Sequence, residues 1–323
     1  MTKKETNEDI LRIDNLSVVL GGRVILEDIK IYVKDGEMLG IVGVSGAGKT
    51  TLLNSIIGYY PIVNGAVLYN SVRKRKFVSI LDRMDNFRGL FGFSAQNPSF
   101  YPELSVLENL EYFASLYNIP HDIKKQNIER ALKLVKLTDS TKITAKNLSG
   151  GMKKRLDIAC SIIHYPKILI LDEPTSDMDP LLRIQIWGLI EDINKSGTTI
   201  IVASHFLSEI EHICDRIVFL HNKHVEFCGS PKYFRNLYSK IREIHITTKD
   251  GEYDVILKKV MSMPFLEVKH VLKKKGRIVL HSKENESVIN SAIAKILRTE
   301  NNISDIEIID PSMDMLFKLF VEK

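Results

Sequence analysis

Cysteine is scarce in this sequence. The chain of 323 residues has three cysteines, Cys160, Cys214 and Cys228, and they are far apart in no metal-ligand spacing. This pattern excludes a disulfide-stapled fold and a cysteine zinc site, and it indicates a reducing compartment. We expect the three side chains to serve in packing.

Long apolar runs are also missing. The most apolar stretches, such as residues 168–171 and 199–203, have the length of strands, whereas a membrane-spanning helix needs about 20 residues. No signal peptide is visible, because residues 1–9 are polar and charged with no apolar segment behind them. Any role at a membrane is therefore expected to depend on a partner.

No charge of one sign dominates. The net charge is +5 at pH 7, which is too small to predict a nucleic-acid-binding surface, so no nucleic acid is expected as a partner. The basic run at residues 73–76 is interpreted as a solvated surface loop. Contact of this run with anionic lipid or with a partner is the alternative.

The main chemical signal lies after the apolar run at residues 38–42. It reads Gly43-Val44-Ser45-Gly46-Ala47-Gly48-Lys49-Thr50, which has the spacing of a phosphate-binding loop (P-loop). Its glycines let backbone N–H groups point inward, and the positive end of the next helix adds to the same point. We expect Lys49 to reach the β- and γ-phosphates of a nucleotide and the Thr50 hydroxyl to ligand Mg²⁺.

Two carboxylates follow a buried strand further along the chain. Asp172 and Glu173 come directly after residues 168–171. An aspartate there can hold Mg²⁺, and the adjacent glutamate can orient or deprotonate the water that attacks the γ-phosphate. Read alone, such a pair is more often a solvated strand end, and its place after a P-loop favours the metal and base roles. His205 follows the next strand and could donate to the γ-phosphate, although a lone histidine is more often structural.

The order of elements predicts the fold class. Residues 10–33 alternate as strands around a Gly21-Gly22 turn, and residues 105–164 have helical spacing. Strand, helix and strand then follow over residues 168–203, which predicts a parallel sheet. We expect an α/β fold, in which a P-loop NTPase core has a mostly parallel sheet, an antiparallel β layer and a helical subdomain.

A second module is expected after the core, because the pattern changes near residue 230. Strands are predicted at residues 244–248 and 252–257, around a turn at residues 249–251, and at residues 278–281 and 303–309. Helices are predicted at residues 284–298 and 312–321. We therefore expect a first domain at residues 1–235, with a helical insert at about residues 97–165, and a small α+β accessory domain at residues 236–323.

One further motif gives the sequence a specific resemblance. Leu148-Ser149-Gly150-Gly151-Met152 resembles the signature loop of ATP-binding cassette (ABC) proteins. Gln96 then matches the glutamine loop, residues 176–179 the D-loop and His205 the switch histidine. With the P-loop and Asp172-Glu173, these motifs follow the family's order over about residues 10–230.

The resemblance implies a set of site residues. Catalytic roles fall to Glu173, His205, Lys49 and Gln96, and the Mg²⁺ ligands are Thr50, Gln96 and Asp172. The residues implied to contact ATP are Gly43, Ser45, Gly46, Ala47, Gly48, Lys49, Thr50, Thr51, Leu20, Ser149, Gly150 and Gly151.

Three positions depart from the family pattern. Leu20 stands where most members have an aromatic residue that stacks on adenine. Asp177 replaces the usual glycine of the D-loop, and Met152 stands where many members have glutamine. Because Lys49 and Glu173 are retained, a competent ATPase is expected.

The resemblance also implies partners. Two ABC subunits sandwich two ATP molecules, so Ser149 and Gly151 would contact the γ-phosphate held by a second copy. Met152 with the following Lys-Lys-Arg, and residues 311–317, resemble ATPase subunits of exporters, which act on separate membrane permease subunits. We expect a homodimer at the cytoplasmic face of the cell membrane. The alternatives are an ABC ATPase on a soluble machine and a nucleotide-gated regulator.

Overall fold

The computed structural model describes residues 8–71, 76–80, 87–238, 241–248, 257–258, 267–272, 277–282, 284, 286–297 and 303–321. The chain forms two compact units, Met1–Pro231 and Lys232–Lys323. The domain boundary after residue 235 stays a prediction. None of the helices in these ranges is long and apolar enough to cross a membrane.

An antiparallel sheet opens the first unit. Its strands are β1 (Asp9–Leu20), β2 (Arg23–Lys34), β4 (Asn64–Ser71) and β5 (Lys76–Ser79), in the order β2-β1-β4-β5. The predicted turn at Gly21-Gly22 joins β1 to β2, and both glycines have positive φ, which explains the choice of glycine. Lys76 lies in β5, contrary to the interpretation as a loop, and residues 73–75 lie outside the described residues.

A six-stranded sheet carries the predicted P-loop strand. Its order is β10-β9-β3-β8-β7-β6, with only β10 antiparallel to its neighbour. The strands are β3 (Met38–Val42), β6 (Phe91–Ser94), β7 (Ile168–Asp172), β8 (Thr199–Ser204), β9 (Arg216–His221) and β10 (His224–Gly229). Every residue of β3, β7 and β8 is buried, as expected for a parallel sheet covered on both faces. The sequence analysis did not find β6, β9 and β10.

Seven helices are described up to residue 238. They are α1 (Lys49–Ile56), α2 (Val106–Leu116), α3 (His121–Val135), α4 (Gly150–Ile162), α5 (Pro180–Lys195), α6 (Leu207–Ile213) and α7 (Pro231–Leu237). Leu52, Leu53 and Ile56 of α1 are fully buried in one core with residues of both sheets. This packing fixes the start of α1 against the carboxyl end of β3. The helical pattern predicted from residue 105 corresponds to α2, α3 and α4.

The second unit is an α+β fold. Its antiparallel sheet has the order β12-β13-β11-β14. The elements are β11 (Arg242–Thr248), β12 (Glu267–Leu272), β13 (Arg277–Ser282), α8 (Glu286–Leu297), β14 (Ile303–Ile309) and α9 (Met313–Val321). The sequence analysis missed β12. The strand predicted to end at Leu257 is wrong at that residue, which has helical backbone, and residues 249–256 lie outside the described residues.

The cysteines differ from the expectation in one case. Cys160 and Cys214 are buried, as expected for packing, but Cys228 is exposed. Cys228 lies near the sheet edge in β10, and its Sγ accepts a hydrogen bond from Arg216 Nη2 at 2.9 Å. The expectation that all three cysteines pack in the interior is therefore wrong for Cys228.

Candidate functional site

The loop between β3 and α1 depends on its glycines. A Cβ on Gly43 would lie 2.5 Å from the backbone oxygen of Leu220, so no larger residue fits without displacing backbone. Gly46 and Gly48 have φ values of +81° and +99°, a region that favours glycine. Gly48 is the N-cap of α1, and no side chain caps this helix end. The positive end of α1 is therefore available to an anion.

A cleft of about 550 Å³ lies over this helix end. Its lining residues are Ile25, Ser45, Gly46, Gly48, Lys49, Thr50, Thr51, Gln96, Glu173 and His205. All of these except Ile25 belong to the site that the sequence analysis predicted. Ile25 is an apolar residue of an alternating strand, so nothing in the sequence marked it as a cleft residue.

Lys49 is held at the base of the cleft. Its side chain is 8% exposed, and Nζ donates a hydrogen bond to the backbone oxygen of Gly43 at 2.8 Å. Glu173 Oε1 lies 3.5 Å from the same nitrogen. The cation is thus partly neutralised, and it points to the position where the loop and α1 would hold a phosphate.

Glu173 and His205 form a direct pair. Glu173 Oε2 accepts hydrogen bonds from His205 Nδ1 at 2.7 Å and from the His205 backbone nitrogen at 3.3 Å. Glu173 has a φ of +47°, and its own backbone nitrogen donates to Ala203. Because Nδ1 faces a carboxylate, Nε2 is the ring nitrogen that can meet a ligand. The half-exposed imidazole gives it access to the cleft.

The surroundings of the Asp172 carboxylate fit a bound metal ion. Its side chain is buried, and within the described part of the chain Oδ1 has no hydrogen-bond partner. Burial raises the pKa of this carboxyl, while a hydrogen bond with Thr50 and the charge of Lys49 lower it. An unpaired buried carboxylate oxygen beside a hydroxyl fits a hard divalent cation. No group of three or more His, Cys, Asp or Glu residues suited to a metal occurs in the described ranges, as is common where phosphates and water complete an Mg²⁺ shell.

The signature loop lies apart from this cleft. Ser149 is the N-cap of α4, and its Oγ accepts a hydrogen bond from the backbone nitrogen of Met152 at 3.4 Å. Ser149 and Gly150 are exposed, whereas Gly151 is buried. None of the three lines the cleft. One copy of the chain therefore does not bring its two anion-binding helix ends together.

Other predicted contacts are placed less directly. Leu20 is partly buried, packs against the core between the sheets and does not line the cleft, and its role at adenine stays a prediction. Gly43, Ala47 and Asp172 are also absent from the lining, although they adjoin residues that form it. Asp177 has a φ of +58°, which explains why a glycine is usual at this position.

Glu209 of α6 is a supporting carboxylate that was not predicted from the sequence. Its Oε2 accepts hydrogen bonds from Thr175 Oγ1 at 2.9 Å and from Trp187 Nε1 at 2.7 Å. Oε1 lies 3.3 Å from Arg183 Nη1. Glu209 therefore links the segment after Glu173 to α5, and sequence spacing gives no sign of this contact.

Comparison with known proteins agrees with this geometry. The sequence profile described as "ABC transporter" matches residues 26–176. The chain is 35% identical over 214 residues to the uncharacterized ABC transporter ATP-binding protein YhcH of Bacillus subtilis, covering 65% of this chain and 67% of that protein. The chain belongs to the ABC transporter family. It is an ABC ATP-binding subunit that binds and hydrolyses ATP, and its α/β fold class is confirmed.

Two further ABC proteins match over most of their length. The linearmycin resistance ATP-binding protein LnrL of Bacillus subtilis is 27% identical over 314 residues, which is 95% of this chain and 97% of that protein. The structure of cbiO1 from Clostridium perfringens, described as part of the ABC transporter complex cbiONQ, has a TM-score of 0.64 and 27% identity. That match covers 80% of this chain and 97% of cbiO1. ABC subunits of this kind pair with membrane permease components.

Proposed function

We propose that this ABC subunit drives an exporter as a homodimer on separate membrane subunits, at the cytoplasmic face of the cell membrane. The homodimer proposal rests on one observation, which is that the predicted ATP-binding residues lie in two separate places on the chain. Lys49, Gln96, Glu173 and His205 share one cleft, whereas Ser149 caps an exposed helix end outside it. A γ-phosphate held by Lys49 would need a second copy to supply Ser149.

The residues in and next to the cleft have distinct roles in this proposal. Lys49 and the backbone of the P-loop bind the β- and γ-phosphates. Thr50, Gln96 and Asp172 would hold Mg²⁺, which offsets negative charge on the phosphates when it is bound. Glu173 orients the attacking water and accepts its proton.

His205 would bridge Glu173 and the γ-phosphate when ATP binds. Its Nδ1 contacts Glu173 in the described structure, and Nε2 can face the γ-phosphate. This contact holds the imidazole over the cleft before the nucleotide arrives. His205 therefore positions the γ-phosphate next to the proposed base.

The exporter direction is supported by the relative that spans nearly the whole chain. LnrL is named a resistance protein, and its match includes the second unit. The sequence resemblance of residues 152–155 and 311–317 to exporter ATPases points the same way. Separate membrane subunits are supported by the likeness to cbiO1, which is part of the ABC transporter complex cbiONQ.

Glu173→Gln tests the hydrolytic mechanism and the dimer together. Loss of a general base lowers the rate about 10²–10⁴-fold, whereas the P-loop still binds ATP. We expect phosphate release to fall by this factor and size-exclusion chromatography to show an ATP-dependent dimer. A variant that keeps its turnover would contradict the role of Glu173, and a variant that stays monomeric with ATP would contradict the shared site.

A detergent pull-down tests the transporter partner. The tagged full-length chain should retain an integral membrane protein from its native membranes. The matched control is Lys49→Ala, which removes nucleotide binding but leaves the rest of the surface unchanged. Recovery of no integral membrane protein with either chain would refute the exporter proposal.

A further inference from the structure

A fully buried carboxylate on α4 holds both ends of the glutamine loop. Asp157 Oδ2 accepts a hydrogen bond from Ser94 Oγ at 2.5 Å, just before Gln96. Asp157 Oδ1 accepts from the backbone nitrogen and the hydroxyl of Ser99, at 3.0 Å and 3.2 Å, just after it. The two oxygens of one side chain therefore bracket Gln96.

A buried lysine one turn earlier completes this cluster. Lys154 Nζ lies 3.4 Å from Asp157 Oδ2 and donates to Ser94 Oγ at 2.9 Å and to the backbone oxygen of Ala95 at 3.2 Å. The side chains of Lys154 and Asp157 are 6% and 0% exposed. Buried opposite charges with further hydrogen bonds fix geometry well, although a well-packed apolar pair can be equally stable. The cluster is therefore better explained by placement of the loop than by stability.

The same helix begins at the signature loop. Ser149 caps α4, and Lys154 and Asp157 lie on its first turns, at Gly150–Ile162. A helix transmits displacement along its axis because its backbone hydrogen bonds keep it rigid. The loop that carries Gln96 and the loop that carries Ser149 are consequently tied to one body.

We propose that Asp157 and Lys154 are positioning residues that hold Gln96 in the cleft and make Gln96 move together with the signature loop. This inference rests on the proposed function, because the role of Gln96 toward Mg²⁺ belongs to it. A change in the position of Ser149, such as its engagement by a second copy, then shifts Gln96 relative to Lys49. Dimer formation and the Mg²⁺ site are thereby linked within each chain.

The test compares the Mg²⁺ dependence of nucleotide binding among variants of the full-length chain. The readouts are the fluorescence of a labelled ATP analogue titrated with Mg²⁺, with EDTA as the blank, and the Mg²⁺ dependence of ATPase activity. Disruption of residues that support metal ligands costs about 10–100-fold in metal affinity or activity. We expect Asp157→Asn to raise the half-saturating Mg²⁺ concentration about 10-fold, with less change in binding without Mg²⁺.

Ser161→Ala is the matched control. Ser161 lies one turn further along α4, and its Oγ donates to the backbone oxygens of Phe93 and Asp157, both at 2.9 Å, so Ser161→Ala keeps the Asp157 carboxylate and its hydrogen bonds to Ser94 and Ser99. We expect no change in Mg²⁺ dependence for this variant. In a Gln96→Ala background, Asp157→Asn should add no further change, because its effect passes through Gln96.

The outcomes separate the inference from the proposed function. If Gln96→Ala alone leaves the Mg²⁺ dependence unchanged, the proposed role of Gln96 is wrong. If Gln96→Ala changes it but Asp157→Asn does not, or if the two effects multiply, the positioning role is overturned. If Asp157→Asn does not fold, Ser94→Ala replaces it in the same measurements, because this variant keeps both buried charges.

Discussion

His164 should make the first unit sensitive to mild acid. It follows α4, its ring stacks on Tyr117 with centroids 3.5 Å apart, and its Nε2 lies 2.9 Å from the backbone oxygen of Phe91. A carbonyl only accepts, so Nε2 carries the proton, and the buried Nδ1 has no partner among the described residues. Burial lowers the pKa of His164 from 6.5 to about 4, against the opposing hydrogen bond to Phe91.

The sign and size of the effect follow from proton linkage. Between pH 6.5 and about 4 the unfolded chain binds a proton at His164 that the folded chain does not. The stabilisation is therefore present above pH 6.5, decreases as the pH falls, and is lost near pH 4. The difference between the two pKa values corresponds to about 3 kcal/mol as an upper value.

Urea unfolding at several pH values measures this effect. Trp187 is the only tryptophan of the chain and is 5% exposed, so its fluorescence reports unfolding of the first unit. His164→Gln can still donate to Phe91 but cannot be charged, and its unfolding free energy should lose up to about 3 kcal/mol of the pH dependence between pH 6.5 and about 4. His121→Gln is the control, because the His121 side chain is fully exposed on α3. An unchanged pH profile for His164→Gln would refute the reasoning.

Three further predictions concern the site and its supports. Gly43→Ala should destabilise the chain by about 1–3 kcal/mol through overpacking and abolish nucleotide binding. Gly46→Ala has open space but positive φ and should cost about 1–2 kcal/mol through backbone strain alone. Thermal unfolding measures both changes, and an ATP titration that still shows binding to Gly43→Ala would contradict the first prediction. Leu20→Tyr should tighten ATP binding at least about five-fold if residue 20 meets the adenine, and an unchanged Kd in a titration would exclude that contact. Glu209→Ala should lower the free energy of unfolding by about 2 kcal/mol or more, because Trp187 and two other donors lose their acceptor. Urea unfolding measures this change. A decrease below roughly 0.5 kcal/mol, the size expected for an exposed surface substitution, would contradict the prediction.

Much of the fold was predictable because its signals are local. Alternation, a Gly-Gly turn and short apolar runs are properties of adjacent residues, and they predicted β1, β2, β7 and β8 to within a few residues. The edge strands β6, β10 and β12 were missed because they are short or lack strong alternation. Of these strands, β6 pairs with β7, which lies more than 70 residues further along the chain, whereas β10 and β12 each pair with a strand adjacent in sequence.

The candidate site shows the same limit. The P-loop, Asp172 and Glu173 could be found because each belongs to a short motif whose spacing carries the chemistry. Ile25 could not be found, because an apolar residue in a strand carries no sign of facing a cleft. Glu209 and Asp157 were also missed, since each is a single acidic residue in a helix whose partners lie on other elements.

The sequence by itself determined the family of this protein and predicted its chemistry: a P-loop, an acidic pair and a signature loop in one order indicate an ABC subunit and predict a nucleotide site and a hydrolytic carboxylate. Only the tertiary structure decided which side chains meet. Glu173 and His205 are 32 residues apart, and Asp157 and Ser94 are 63 apart. Such contacts follow from the order of strands in the sheet and from burial, which no local pattern records. The same structure separated Ser149 from the cleft that Lys49 occupies.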